Sequence, residues 1–222
     1  MLLFHTQLCI FSAKSKSEEI IMADVRSLYL REVLALDSEH AGAQAFWIAT
    51  FAILTAVGAQ FEIPTQPVPF TFQTFFVLLS GAMLGKRNGF VSMSLYLVLG
   101  VAGLPVFSTG GFGLARLLGP TGGYLLSFPI AAFVIGYLIS HRPMPVNNRE
   151  SLVNKLMTGY AWTLGSMVLG LLIVFMFGTI QLKIVYFQHW GDAIRSGFLI
   201  FSLWDVLKLF AAATIAQQFV RR

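Results

Sequence analysis

Residues 111–140 read GFGLARLLGPTGGYLLSFPIAAFVIGYLIS, and this stretch decides the fold class. Its second part, residues 121–140, holds no charged side chain. A helix needs roughly 20 apolar residues to cross the hydrocarbon core of a bilayer, and this segment supplies them. Its first part is the opposite, a glycine-rich run with a single arginine, Arg116, followed by Gly119-Pro120-Thr121-Gly122-Gly123. A loop with a charge therefore runs straight into an apolar span. Thr121 is placed to cap the helix opening at Gly122, whose free N–H groups favour an anion.

The rest of the chain agrees. Of 222 residues, 56% are hydrophobic and 11% charged, against roughly 25% charged in soluble domains. This composition implies an all-α integral membrane protein with one membrane domain. Six hydrophobic segments follow one another at 44–60, 71–85, 89–107, 121–140, 155–180 and 197–220, so six transmembrane helices are expected within residues 41–222. The second is short for a straight span, and the turn GKRNG at 85–89 would also suit a helical hairpin. Residues 1–40 form a tail. Its start is unlike a signal peptide, because the apolar stretch precedes Lys14 and Lys16 and no small-residue cleavage site follows; Met22 offers a second start. Val25, Leu28, Tyr29, Val33 and Leu36 recur at helical spacing, as in an amphipathic helix lying on the membrane; a frayed tail explains them equally well.

The net charge of +5 would suggest nucleic acid in a soluble protein. Here it reads as topology, since basic residues gather in cytoplasmic loops, and no nucleic-acid partner is expected. One side holds Lys86, Arg87, Arg142, Arg149, Lys155, Arg221 and Arg222, together with the basic residues of the tail. The other holds Arg116, Lys183 and Arg195. Both termini are then cytoplasmic, in a multi-pass protein of the cell membrane, and Arg116 lies outside, against the usual bias. The aromatics Tyr186, Phe187 and Trp190 suit an interfacial belt in contact with membrane lipid.

The strongest chemical feature is LWDVLKLF in the last segment. Asp205 and Lys208 are three apart and share a helix face. Ionisable groups inside a span are costly and commonly face a polar cavity or each other. Thr71 and Gln73 bring further polar groups into an apolar run; interhelical hydrogen bonding is their bland explanation. Enzyme signatures are missing. The GAMLGKR run has the wrong spacing for a phosphate-binding loop, and no GxSxG or HExxH occurs. One cysteine, Cys9, and four scattered histidines give no metal spacing, so neither a metal nor a cofactor is expected. Small residues step by four at Ala41, Ala45 and Ala49, at Ala52 and Ala56, and at Gly81 and Gly85, as in packed membrane helices.

The runs QPVPFTFQTFFVLLSGAMLG, SLYLVLGVAGLPVF, LLGPTGGYLLSFPIAAFVIGYL and DVLK lie in this order from about Ala45 to Val220. In this the chain resembles the BioY family, the biotin-binding S components of energy-coupling-factor (ECF) vitamin transporters. The resemblance implies a six-helix S-component fold that binds biotin near the extracytoplasmic surface. It also implies a transmembrane T subunit and two cytoplasmic ATPases as partners, and no catalysis in this chain. Carried over residue by residue, it marks Thr71, Gln73, Tyr96, Thr121, Tyr124, Asp205 and Lys208, with Arg116 just upstream of GPTGGY and Phe107 beside the ring-flanking tyrosines. Asp205 would accept from the ureido N–H groups. Lys208 and Arg116 would balance Asp205 and the ligand carboxylate, and which cation takes which group stays open. Two departures stand out. Leu203-Trp204 replaces a common Pro-Gly before the Asp, and the AxxxA docking motif is altered, so that Ala49 is followed by Ile53 and docking would turn to Ala52 and Ala56. A solitary biotin transporter working without ATPases, or an S component for another vitamin, are the alternatives.

Overall fold

The computed structural model describes residues 41–142, 152–198 and 203–220. Helix α1 (Ala41–Gln60) leads into a two-residue ribbon, β1 (Glu62–Ile63) and β2 (Phe70–Thr71), paired antiparallel with Glu62 opposite Thr71. Helix α2 (Gln73–Val101) follows, then a 3-10 turn (Ser108–Gly110), the short α3 (Leu114–Leu118), α4 (Gly122–Ser140), α5 (Leu152–Val185), α6 (Trp190–Gly197) and α7 (Leu203–Val220). The tail at 1–40, with its expected surface helix, lies outside the described residues.

Helix α2 is two helices joined by a reversal. As one straight rod it would hold Gln73 and Tyr96 about 34 Å apart at 1.5 Å per residue. Instead the Gln73 side-chain amide donates to the Tyr96 hydroxyl. A Cβ on Gly89 would lie 3.1 Å from the Cα of Gly81. The chain folds back at Gly85, whose φ of 76° and ψ of −178° are closed to residues with a side chain. The two segments that GKRNG separates are thus the arms of a helical hairpin, 73–84 and 86–101, the arrangement weighed beside two separate spans. Together with α1, α4, α5 and α7 they make six long helical segments among the described residues. Among the described residues, three helices are long and apolar enough to cross a membrane: Ala41–Gln60, Gly122–Ser140 and Met157–Val185.

Small residues let these helices touch backbone to backbone. Gly81 lies on Ala132, Gly136 on the backbone of Lys86, and Gly123 on the carbonyl of Phe177. The interior is filled by Met93, Tyr96, Phe107, Ile135, Met167 and Leu171. The exterior is apolar too, with Val98 62% and Ile184 77% exposed. Helices that are apolar all round suit a lipid surrounding.

The bundle has two distinct ends. At one, Lys86 lies 5.7 Å from the Tyr137 ring centre, and Arg142 lies against Gly159. At the other, Gln60 bonds the Phe107 carbonyl and Gln181 bonds the carbonyls of Leu117 and Gly119. Helices α1 and α7 run in opposite directions, and the outer ends of both, Ala41 and Val220, fall at the Lys86 end. Among the described residues, Lys86, Arg87, Arg142 and Lys155 lie at the first end, against Arg116, Lys183 and Arg195 at the other. The larger asymmetry counted in the sequence rests on residues beyond these.

Three expectations need correction. Ala52 is 1% exposed and Ala56 packs against the core, so neither forms an outer docking face; Ala49 is half-buried. The outside of α1 carries Phe46, Ile53 and Val57 instead. Thr121 stands at the N-cap of α4, but its hydroxyl makes no capping bond. Gly197 closes α6 rather than opening the last long helix, which begins at Leu203.

Gly85→Ala should cost about 1–3 kcal/mol of stability, because alanine is strained at this backbone conformation. Gly165→Ala, in an exposed helical position with open space around it, should instead stabilise by about 0.5–1 kcal/mol. Thermal unfolding of the two variants in detergent distinguishes these opposite signs.

Candidate functional site

The first turns of α7 supply the charged centre. Asp205 lies in the first turn, where the helix N-terminus favours a carboxylate. Lys208 follows one turn later on the same face, and the two are 3% and 8% exposed. Lys208 Nζ lies 2.6 Å from Asp205 Oδ1. It also donates to the Thr71 carbonyl and to Thr74 Oγ1, each at 3.0 Å. Three acceptors thus match the three N–H donors of an ammonium.

From Thr71 a relay of hydrogen bonds runs into the core. Thr71 Oγ1 donates to Gln73 Oε1 at 2.8 Å. The Gln73 amide donates to the Tyr96 hydroxyl, which donates to the Val106 carbonyl at 3.1 Å. The Tyr96 ring meets Phe107 edge-on with centroids 5.5 Å apart and stacks on Phe128. The relay joins β2, both arms of α2 and the loop after Val101.

These groups face a cavity of about 70 Å³. Phe70, Thr71, Gln73 and Thr74 form one wall, and Asp205 and Lys208 another. Thr121, Tyr124, Leu125 and Phe128 of α4 face them, with Val174 and Phe175 of α5 beside and Ser108 above. The lining is therefore apolar and aromatic, with a few converging polar groups, as in small-molecule sites generally.

Six of the nine residues singled out in the sequence meet at this cavity: Thr71, Gln73, Thr121, Tyr124, Asp205 and Lys208. Tyr96 and Phe107 lie behind the wall, buried in the core. Tyr124 also donates to the Gly197 carbonyl at 2.9 Å and so fastens α4 to α6. Arg116 is one residue removed from the cavity. Its guanidinium donates to the Ser108 carbonyl at 3.2 Å and to Thr109 Oγ1, and so braces the loop whose Ser108 lines the cavity. Thr74 was missed, although it follows Gln73 directly and shares the Thr71 neighbourhood. Phe128, Val174 and Phe175 lie within apolar runs, where nothing in the sequence separates a cavity wall from a lipid face.

Residues 34–222 match the model of the BioY family. The chain belongs to the BioY family. Relatives within it include the "Biotin transporter BioY" of Thermotoga maritima, 43% identical over 166 residues, which are 75% of this chain and 89% of that protein. The "Probable biotin transporter BioY" of Pyrococcus horikoshii is 37% identical over 171 residues, 77% of this chain and 92% of the relative. Among solved structures, a crystal structure at 2.1 Å of the S-component for biotin from an ECF-type ABC transporter superposes with a TM-score of 0.69. It is 23% identical, covering 81% of this chain and 91% of that one. That likeness is one of fold, and this BioY chain has the ECF S-component fold. It is a membrane protein of a transporter family.

Tyr96→Phe should leave the Gln73 amide and the Val106 carbonyl buried without their common partner. The expected loss is about 1–3 kcal/mol, read as a fall in unfolding temperature relative to Phe107→Leu, which removes packing but no hydrogen bond.

Proposed function

We propose that this chain takes up biotin across the cell membrane as the substrate-specificity subunit of an ECF-type importer. Its partners would be a transmembrane T subunit and two cytoplasmic ATPases, and its own chemistry is binding rather than catalysis. The buried Asp205–Lys208 pair facing an aromatic cavity carries this reading. Biotin offers a ureido ring with two N–H donors and one carbonyl, an apolar thioether ring, and a carboxylate. Asp205 would accept ureido N–H groups, and Gln73, Thr71 and Thr121 would meet the remaining polar edge. Tyr124 and Phe128 would flank the apolar ring. A site built around ureido hydrogen bonds rejects analogues lacking them, because its own polar groups would stay buried and unpaired.

Membership of the BioY family supports the ligand, and the S-component fold supports the coupling to energising subunits. The ligand side would face outwards and both termini inwards. In support, Ala41 and Val220 fall at the bundle end opposite the cavity, and most basic residues of the chain lie in the segments that flank that end. Arg116 donates to the carbonyl of Ser108, which lines the cavity, and it would read the ligand carboxylate. A cavity of about 70 Å³ is well below the roughly 300 Å³ at which ligand pockets begin, so binding would widen it.

Calorimetry with the purified chain tests the reading. Biotin should bind, and Lys208→Ala should weaken it at least tenfold, about 1.4 kcal/mol. Unchanged binding in that variant would remove the pair from the site. Arg116→Ala should weaken biotin more than an uncharged biotin amide; equal losses would show that Arg116 does not read the carboxylate. Counterflow into liposomes with and without the energising subunits separates a coupled importer from a solitary one.

A further inference from the structure

The Ser108 hydroxyl stands at the cavity without a partner. Ser108 lines the cavity and is 7% exposed. Among the described residues its hydroxyl makes no hydrogen bond. Nor is it sealed off, since the side-chain atoms wholly buried there without a partner are Glu62 Oε2 and Thr179 Oγ1. Buried polar groups are ordinarily paired, and an unpaired one on a cavity wall is open to whatever enters. Gln73 and Lys208, by contrast, are bonded to protein groups, and the Tyr124 hydroxyl donates to the Gly197 carbonyl.

The backbone around Ser108 is fixed by a bracket of hydrogen bonds. Its carbonyl accepts from Thr109 Oγ1 at 2.6 Å, from the Gly111 amide at 3.0 Å and from the Arg116 guanidinium at 3.2 Å. The Phe107 amide donates to the Gly111 carbonyl at 3.0 Å and closes the turn. Arg116 also packs on Gly111, where a Cβ would collide with its guanidinium. Thr109 is held at φ 55° and ψ 29°, a left-handed conformation uncommon for a β-branched residue. Backbone of this kind persists only where its surroundings over-determine it, and it clusters at ligand clamps. The bracket thus holds the Ser108 side chain in a set place and brings a positive charge against the same residue. That charge favours an electron-rich ligand atom at Ser108 over an N–H donor.

We propose that Ser108 is a specificity-determining residue whose hydroxyl donates to a carboxylate oxygen of the ligand. The proposal rests on the biotin reading and adds a contact to it: Asp205 takes the ureido end, and Ser108 the acid end. Arg116 balances the carboxylate and, with Thr109, positions the backbone from which Ser108 reaches it. A hydrogen bond from a hydroxyl to a carboxylate is charge-assisted and roughly twice as strong as a neutral one.

Calorimetry on the purified full chain uses biotin and an analogue whose carboxyl is replaced by methyl. Ser108→Ala should weaken biotin at least about tenfold and the analogue less than about twofold. Unchanged biotin affinity overturns the contact, and equal losses for both ligands overturn its assignment to the carboxylate. The unfolding midpoint of ligand-free Ser108→Ala in detergent should stay within about 2 °C of the wild type, because no protein hydrogen bond is lost. A larger fall overturns a hydroxyl held open for ligand. On an Arg116→Ala background, Ser108→Ala should cost biotin less than about threefold, since part of the bracket is gone. The full tenfold loss there overturns the bracket as the positioning device. A wild-type chain that binds no biotin overturns the biotin reading, and the ligand group named here falls with it. Failure of the Ser108 contact alone leaves wild-type binding of biotin intact.

Discussion

A lysine ammonium enclosed among helices is the constraint on which the site depends. A charge in this setting is tolerated only when its donors are met and its field is balanced. Asp205 supplies the balance from one turn away on α7. The Thr71 carbonyl and the Thr74 hydroxyl supply the other two acceptors, and both come from the far side of the cavity. Lys208 therefore fixes how α7 lies against β2 and the start of α2. Lys208 also lines the cavity, so the group that closes the structure faces whatever enters it.

The remaining polar groups extend that same arrangement inwards. Thr71, Gln73 and Tyr96 pass hydrogen bonds from the ribbon to the loop carbonyl of Val106. They can do so only because the chain reverses at Gly85 and returns the second arm of α2 to the first. The backbone contacts of Gly81 and Gly136 hold α4 against both arms, which brings Thr121 and Tyr124 to the same cavity. Arg116 braces the connecting loop from outside through Ser108 and Thr109. Thr109 keeps a positive φ of 55°, which is uncommon for a β-branched residue, and the guanidinium bond contributes to holding it there.

Much of this was legible from residue order. The lack of charge over residues 121–140 gave the membrane class, and GKRNG marked the turn while leaving open a hairpin or two separate spans. Spacing of three gave the Asp205–Lys208 pair, because neighbours on a helix face meet whatever the surroundings. The alanines of α1 were not legible in the same way. Ala49, Ala52 and Ala56 have the spacing of a packing face, but in a helix apolar on all sides the pattern does not say whether that face looks inwards or outwards. Tyr96 and Phe107 posed a related difficulty. Aromatic residues near a site are equally able to line it or to support it, and here they support it.

The sequence by itself determined what the chain must avoid and what it must pair. Its apolar segments cannot stay in water, and its few intramembrane charges and amides cannot stay unpartnered in lipid. Only the tertiary structure decided which groups answer which. Thr71 and Thr74 stand more than a hundred residues from Lys208, and Glu62 comes opposite Thr71 only through a two-residue ribbon. The physical reason is that a hydrogen bond is decided within about 3 Å, whereas sequence spacing governs distance only along a single helix or strand. Once the chain reverses, neighbours are chosen by backbone approach, and that approach is set by glycines whose partners lie on other helices.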